Sequence, residues 1–236
     1  MSRANVKDKR KAQLIAAALE SIARRGLMET TITHISKGAG MSRGIINFYF
    51  TSKETMLRET LKTLIDEYET EWTDALAKAG DDGRARLLAI LEAHFNKKLC
   101  SARRLNVMSA FWGHAATQSA YRNQLDAADA KIEYALTEML AQVLGGSLDE
   151  ARNAATQLHA LIRGLWLNFM LNPQAVARET LAAQAASFVD RLTGAPIRIV
   201  RNIEKPAVAA KPKPRAKAKA AEPQQLDIED LFSVAQ

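Results

Sequence analysis

The sequence predicts an all-α chain: an N-terminal three-helix head with a helix-turn-helix outline, joined by a long fourth helix to a C-terminal helical bundle. Three observations carry this. Apolar residues recur at a 3.6-residue period through most of the chain. No alternating apolar and polar run supports a strand before residue 195. The periodic stretches are separated by short breaks of Gly, Asp, Asn or Pro, as in a bundle with tight connections.

Residues 12–25 place Leu14, Ile15, Ala18, Leu19, Ile22 and Ala23 on one helical face, with Gly26 suited to the C-cap. Thr30 or Thr31 can cap a short helix through Ile32, Ile35 and Ala39. Gly40 supplies a turn, and Ser42 can cap a third helix whose packed face would carry Ile45, Ile46 and Phe48. Residues 52–79 form a long periodic stretch that opens on Thr51, Ser52 and Glu54 and stops at Gly80–Gly83. Further helices are expected over 84–99, 101–114, 119–144, 148–171 and 174–192, with breaks near Gly113, Gly145–Gly146, Asn172–Pro173 and Gly194–Pro196. The domain reading is a helix-turn-helix head over 1–55, a helical bundle over 56–194, and a basic tail over 195–236. In that tail, 197–203 suit a short extended piece, the Lys/Pro/Ala stretch 205–225 lacks the apolar residues to fold, and an acidic-hydrophobic segment ends the chain.

The 236 residues include 47% hydrophobic side chains, enough for a sizeable core in one or two domains. One Cys excludes an internal disulfide framework and a cysteine-rich zinc site. No apolar run is long enough to span a membrane, and the start, MSRANVKDKRK, lacks an apolar signal region. A cytoplasmic protein with no membrane partner is expected. The net charge of +7 is uneven: residues 1–50 hold nine basic and three acidic side chains, whereas 51–193 hold 16 and 18. A basic head on a near-neutral body points to a polyanion at one end.

The third helix suits double-stranded DNA. Ser42, Arg43, Gly44 and Asn47 cluster at its start, where free backbone N–H groups and close approach favour phosphates. Arg43 can reach a guanine or a phosphate, and Asn47 can pair with adenine. Tyr49, Lys53 and Thr31 can reach phosphates, and the basic arm Arg3, Lys7, Lys9, Arg10 and Lys11 can track the backbone or enter a minor groove. Each has a plainer use as well. Ser42 is an N-cap in any case, Gly44 can relieve crowding, Phe50 and Tyr49 can close the head, and Lys53 and the arm can be solvated charge.

The stretch TTITHISKGAGMSRGIINFYFTSKETML closely resembles the DNA-binding head of TetR-family repressors. The resemblance covers roughly residues 10–60 and implies operator-facing positions at Thr31, Ser42, Arg43, Gly44, Asn47, Tyr49 and Lys53. Many relatives carry Tyr at the position of Asn47 and His at that of Phe48, which leaves the detailed contacts open. GIINFYF, AFWGHAATQSAYRNQL and ALIRGLWLNFML resemble the BetI-type, choline-responsive group of that family over roughly residues 8–193. That implies a homodimer, control of glycine betaine synthesis or choline uptake genes, and a choline effector in place of any cofactor. The chain runs about 40 residues past where such proteins end.

A single recognition helix reads little DNA, and a two-fold dimer reads two half-sites. The resemblance puts the dimer interface in the last two helices, where the apolar sets offer Leu158, Leu161, Leu165, Leu181 and Phe188. A quaternary ammonium calls for aromatic faces with a carboxylate nearby. The preferred pair is Trp112 and Trp166, with Tyr121 third; Phe111 and Phe95 are further rings, and His94, His114 and Asn168 could orient a hydroxyl or aldehyde. Glu92 or Asp126 could balance the charge. Phe111 and Trp112 are adjacent, so they point about 100° apart and are not both presumed to line one cavity. Ordinary core packing competes at every one of these rings. A ligand among residues 90–135 could swing helix 52–79 and spoil the spacing of the two heads, giving repression without ligand and release with it.

No catalytic motif is present, and neither catalytic nor metal-binding residues are expected, since no two His stand four apart. His34 reads as a surface or head-packing residue, and Cys100, among basic neighbours, as a weak redox candidate. Two alternatives stand beside the choline reading: a TetR-like regulator of another hydrophobic or cationic ligand, and a non-specific architectural DNA-binding protein for which the basic tail argues.

Overall fold

The computed structural model describes the backbone of residues 3–194 and the side chains of residues 6–194. The expectations for 195–236 lie outside the described residues. Nine helices form among the described residues: α1 (Arg3–Glu29), α2 (Ile32–Ala39), α3 (Arg43–Tyr49), α4 (Lys53–Ala79), α5 (Gly83–His94), α6 (Ala102–Ala115), α7 (Ser119–Leu144), α8 (Leu148–Leu171) and α9 (Arg178–Thr193). None is long and apolar enough to cross a membrane.

The helix starts follow from side-chain caps. Thr31 accepts from the His34 N–H, Ser42 from Ile45, Ser52 from Thr55 and Asp82 from Ala85. At α8, Ser147 and Glu150 cap each other reciprocally, which satisfies two otherwise orphaned N–H groups. The turn between α2 and α3 rests on Gly40 at φ 63°, a left-handed conformation that a β-carbon disfavours.

Four boundaries differ from the sequence reading. Helix α1 begins at Arg3, because the arm holds good helix formers with no Gly or Pro. Its regular turn does break at Gly26 (φ 80°), as expected, but a further turn follows to Glu29. Helix α5 ends at His94: the Asn96 carboxamide oxygen accepts the N–H groups of Lys98 and Leu99, both at 2.8 Å, and diverts the backbone into turns. Helix α9 starts only at Arg178, after a turn in which the Ala175 N–H bonds to the Asn172 carbonyl. Helix α6 runs through Gly113 to Ala115, within a residue of its expected end.

The core has three parts. Leu14, Ala18, Ile35, Ile46, Phe50 and Met56 hold the head together. Leu87, Ile90, Leu91, Ile132, Leu136, Leu158, Ile162, Leu181 and Val189 fill the bundle. Between them, Ile22 and Leu27 of α1 and Leu57, Leu61 and Leu64 of α4 pack on Val107, Met108 and Phe111 of α6 and on Tyr121 and Leu125 of α7. This junction ties the head to the middle of the bundle through α6 as well as through α4.

Candidate operator face and effector cavity

On the head, Thr31, Ser42, Arg43, Gly44 and Asn47 are all exposed, and Tyr49 and Lys53 half-exposed. Internal bonds fix several of them. Arg43 donates to the Thr33 hydroxyl across the α2–α3 corner, and the Lys53 ammonium donates to the Met28 carbonyl at 3.3 Å. Gly44 explains itself least from within: a β-carbon there would meet only the Ser42 hydroxyl, at 3.8 Å, so crowding inside the fold does not require glycine.

Phe48 departs from expectation. It does not pack with Ile45 and Ile46 but stands 73% exposed, edge-on to Tyr49 at 5.2 Å, with the Lys7 ammonium 5.9 Å from its ring centre. The seven-residue helix offers only a narrow inward face, which Ile46 fills; Phe48 lies two residues on, about 200° around. The arm also behaves differently from the sequence reading at one position. Lys11 is bonded to Glu59 at 2.8 Å and lies over Phe50, clamping α1 to α4.

In the bundle, a cavity of about 40 Å³ opens among α4, α6, α7 and α8. Trp112 and Trp166 both line it, with Tyr68, Asp129, His159, Arg163 and Arg104 as the other aromatic and polar walls and Ile65, Leu105, Met108 and Leu125 among the apolar ones. A relay centred on buried His94 braces one side. The Tyr68 hydroxyl donates to His94 Nε2 at 2.8 Å, His94 Nδ1 donates to the Ile90 carbonyl at 2.6 Å, and Trp166 Nε1 donates to the His94 carbonyl at 2.9 Å. Burial drives the His94 pKa down to about 4, so the imidazole is neutral and this tautomer is consistent. Burial likewise raises the Tyr68 pKa, keeping it a phenol. The other side is ionic. Asp129 pairs with Arg163 and lies 3.9 Å from His159, whose Nδ1 is 3.1 Å from Glu133. The Arg163 guanidinium sits 5.5 Å from the centre of the Trp112 ring. Arg104 is spoken for, bonded to Glu67 and to the Leu64 carbonyl at 2.6 Å each.

The other sequence-predicted effector residues lie elsewhere. Phe111 and Tyr121 meet edge-on at 5.2 Å in the head–bundle junction, 100° round α6 from the cavity. Phe95 is buried beside a wider, solvent-open groove of about 640 Å³ among α4, α5 and α9, which Glu92 also lines. That groove is larger, but its charged rim offers no aromatic cage. His94 backs the cavity wall instead of lining it, and Asn168 points outward from α8. Asp126 is exposed; Asp129, which the sequence reading missed, is the cavity carboxylate. Its signal was present: 129 follows Leu125 by four and precedes Ile132 by three, on the inward face of α7.

The expected dimer residues need correction too. Leu158, Leu165 and Leu181 are buried within the subunit and hold its own core. Leu161 and Phe188 are half-buried. What α8 leaves outside is a stripe of Gln157, Ala160, Gly164, Leu167, Asn168 and Leu171, with Leu167 46% and Leu171 71% exposed. Cys100 is buried, and burial pushes its thiol up to about 11, opposite to what a redox sensor needs.

Residues 14–60 match the profile of bacterial regulatory proteins of the tetR family, and residues 83–194 that of the BetI-type transcriptional repressor C-terminal region. The HTH-type transcriptional regulator BetI of Burkholderia mallei is 31% identical over 192 residues, covering 81% of this chain and 97% of that protein. The chain belongs to the TetR family. It is therefore a DNA-binding repressor that responds to a small-molecule effector, and not an enzyme. Among solved structures, a transcriptional regulator of Pseudomonas aeruginosa PAO1 superposes with a TM-score of 0.73 at 29% identity, covering 79% of this chain and 91% of that one. A regulator of Saccharomonospora viridis in complex with choline shares the fold at a TM-score of 0.69 and 21% identity, over 78% and 96%.

Proposed function

We propose that this TetR-family repressor is a homodimer that reads its operator through α3 and is released by a choline-type quaternary ammonium, controlling glycine betaine synthesis or choline uptake genes. The observation that carries the effector class is the cavity itself. Two indoles and a phenol ring surround it, and among the described residues the one carboxylate on its wall is Asp129. A permanent cation without hydrogen-bonding capacity is held by ring faces and a nearby negative charge. The choline complex of the Saccharomonospora viridis regulator supports the reading, as do the BetI relatives.

Ser42, Arg43, Gly44 and Asn47 form the operator face, with Thr31, Tyr49 and Lys53 on flanking phosphates and exposed Phe48 against a sugar or thymine methyl. The second copy docks on the outer stripe of α8. Gly164 has nothing within 4 Å of the place its β-carbon would occupy, which lets a facing helix approach closely. Coupling runs through α6. Trp112 faces the cavity and Phe111, its neighbour, faces the head, so a ligand that moves one moves the other.

Ligand pockets usually span about 300–1,000 Å³, so this cavity must open to admit an effector, and opening supplies the difference between the two states. The test is fluorescence anisotropy on the DNA flanking the gene, at fixed salt, with and without choline. Specific binding that choline abolishes is expected. Specific binding indifferent to choline would reject this effector class, and apolar wall residues such as Leu105 and Met108 would then favour a hydrophobic ligand. Equal affinity for unrelated duplexes would reject the repressor mechanism in favour of architectural binding.

A further inference from the structure

The cavity already holds a cation. The Arg163 guanidinium lies over the Trp112 indole with its charge 5.5 Å from the ring centre and is paired with Asp129. Those are the two partners, an aromatic face and a carboxylate, that a quaternary ammonium would use. His159, Arg163 and Trp166 stand at intervals of four and three on α8, so the helix aims all three at this space. Burial, and the neighbouring Arg163, lower the His159 pKa against the opposing pull of Glu133 and Asp129, which favours the neutral ring. Arg104, the other cation on the wall, is held by Glu67 and the Leu64 carbonyl. Among the described residues, Arg163 alone is both on the indole and on Asp129. Its side chain is 36% exposed, so it has a route outward to solvent.

We propose that Arg163 is an internal stand-in for the effector's cation, displaced when the effector takes Trp112 and Asp129. This rests on the cationic effector proposed above. Two positive charges cannot share one indole face and one carboxylate without strong repulsion, so binding and the seated guanidinium exclude each other. The displacement sets the effector concentration at which repression is lifted. It also keeps half-buried Asp129 paired in the effector-free protein, where an unpaired carboxylate would be costly.

The test compares calorimetric affinities of the full chain, Arg163→Gln and Arg163→Lys, for choline and for its neutral carbon isostere, in which a tert-butyl group replaces trimethylammonium. Removing the competitor should tighten choline binding by about tenfold, the size of a partly buried cation–π contact. The isostere should gain clearly less, because it does not claim the freed carboxylate. Lysine, which keeps the charge but not the flat face, should fall between wild type and Arg163→Gln. Thermal melts confirm that each variant is folded.

Equal gains for choline and the isostere would reduce Arg163 to bulk in the cavity and overturn the proposal. So would choline affinity in Arg163→Lys equal to that in Arg163→Gln, since charge would then be irrelevant. Weaker choline binding in Arg163→Gln, with wild type binding normally, would make Arg163 a ligand contact. If neither wild type nor variant binds choline, the cationic reading itself falls, and the stand-in falls with it.

Discussion

The Tyr68 hydroxyl donates a 2.8 Å hydrogen bond to His94 Nε2, joining α4, the helix that rises from the DNA head, to the end of α5 at the back of the cavity. The bond is partly buried and it requires a neutral imidazole. Tyr68 also meets Trp166 edge-on at 6.0 Å, and Trp166 stacks on His94 at 5.5 Å, so three helices share one aromatic knot.

That knot makes stability depend on pH. The folded His94 pKa is depressed by burial to about 4, against an ordinary value of 6.5. Between those values the unfolded chain binds a proton that the folded chain does not, so stability is fully present above about 6.5 and falls as the pH drops towards 4. His159, also lowered, acts in the same direction. Thermal melts from pH 7.5 to 4.5 should show a falling Tm that His94→Gln flattens. A Tm equally steep in His94→Gln would mean that other groups set the slope.

Gly44→Ala separates folding from reading. The position is helical and open, so alanine should leave the fold unchanged or stabilise it by up to about 1 kcal/mol. Operator affinity should nonetheless fall at least tenfold, because the added methyl group meets the DNA. Melting curves and anisotropy titrations on the same preparation decide it, and undiminished operator affinity would move the close approach elsewhere.

Leu167→Glu puts a charge on the exposed stripe of α8. It removes no internal contact of the core, so the subunit should remain folded by circular dichroism while sedimentation shows monomers at micromolar concentration. Leu158→Ala, at a fully buried position, should instead cost about 2–5 kcal/mol of stability. A Leu167→Glu variant that stays dimeric would place the interface off this stripe.

Trp112→Leu keeps an apolar side chain, though a smaller one, and loses the indole face. Choline affinity should weaken several-fold to about thirtyfold, the range of a cation–π contact. Operator affinity without choline should stay within about twofold. A loss of both together would show that Trp112 supports the head rather than the effector.

Reading the chain alone worked where local periodicity and caps decide. Thr31, Ser42 and Ser52 cap helices as their residue types suggest, α7 and α8 run over the expected residues, and the exposed start of α3 carries Arg43, Gly44 and Asn47. It failed at Phe48, because hydrophobicity argues for burial and a short helix has room for few inward side chains. Asn96 shows a second kind of failure: a side chain that captures backbone N–H groups ends a helix whose apolar pattern still continues.

The sequence by itself determined the helices, their order, the basic head and the family, because these follow from patterns within a few turns of chain. It also singled out Trp112 and Trp166, which the fold brings to one cavity. Only the tertiary structure decided which side of each helix faces what. Adjacent Phe111 and Trp112 part to the head junction and the cavity, Leu158 and Leu181 turn inward while Leu167 stays outside, and Asp129 replaces Asp126 as the cavity carboxylate. A helix side is assigned by the partner it meets, and partners far apart in sequence, such as Asp129 and Arg163, meet only when α7 and α8 pack.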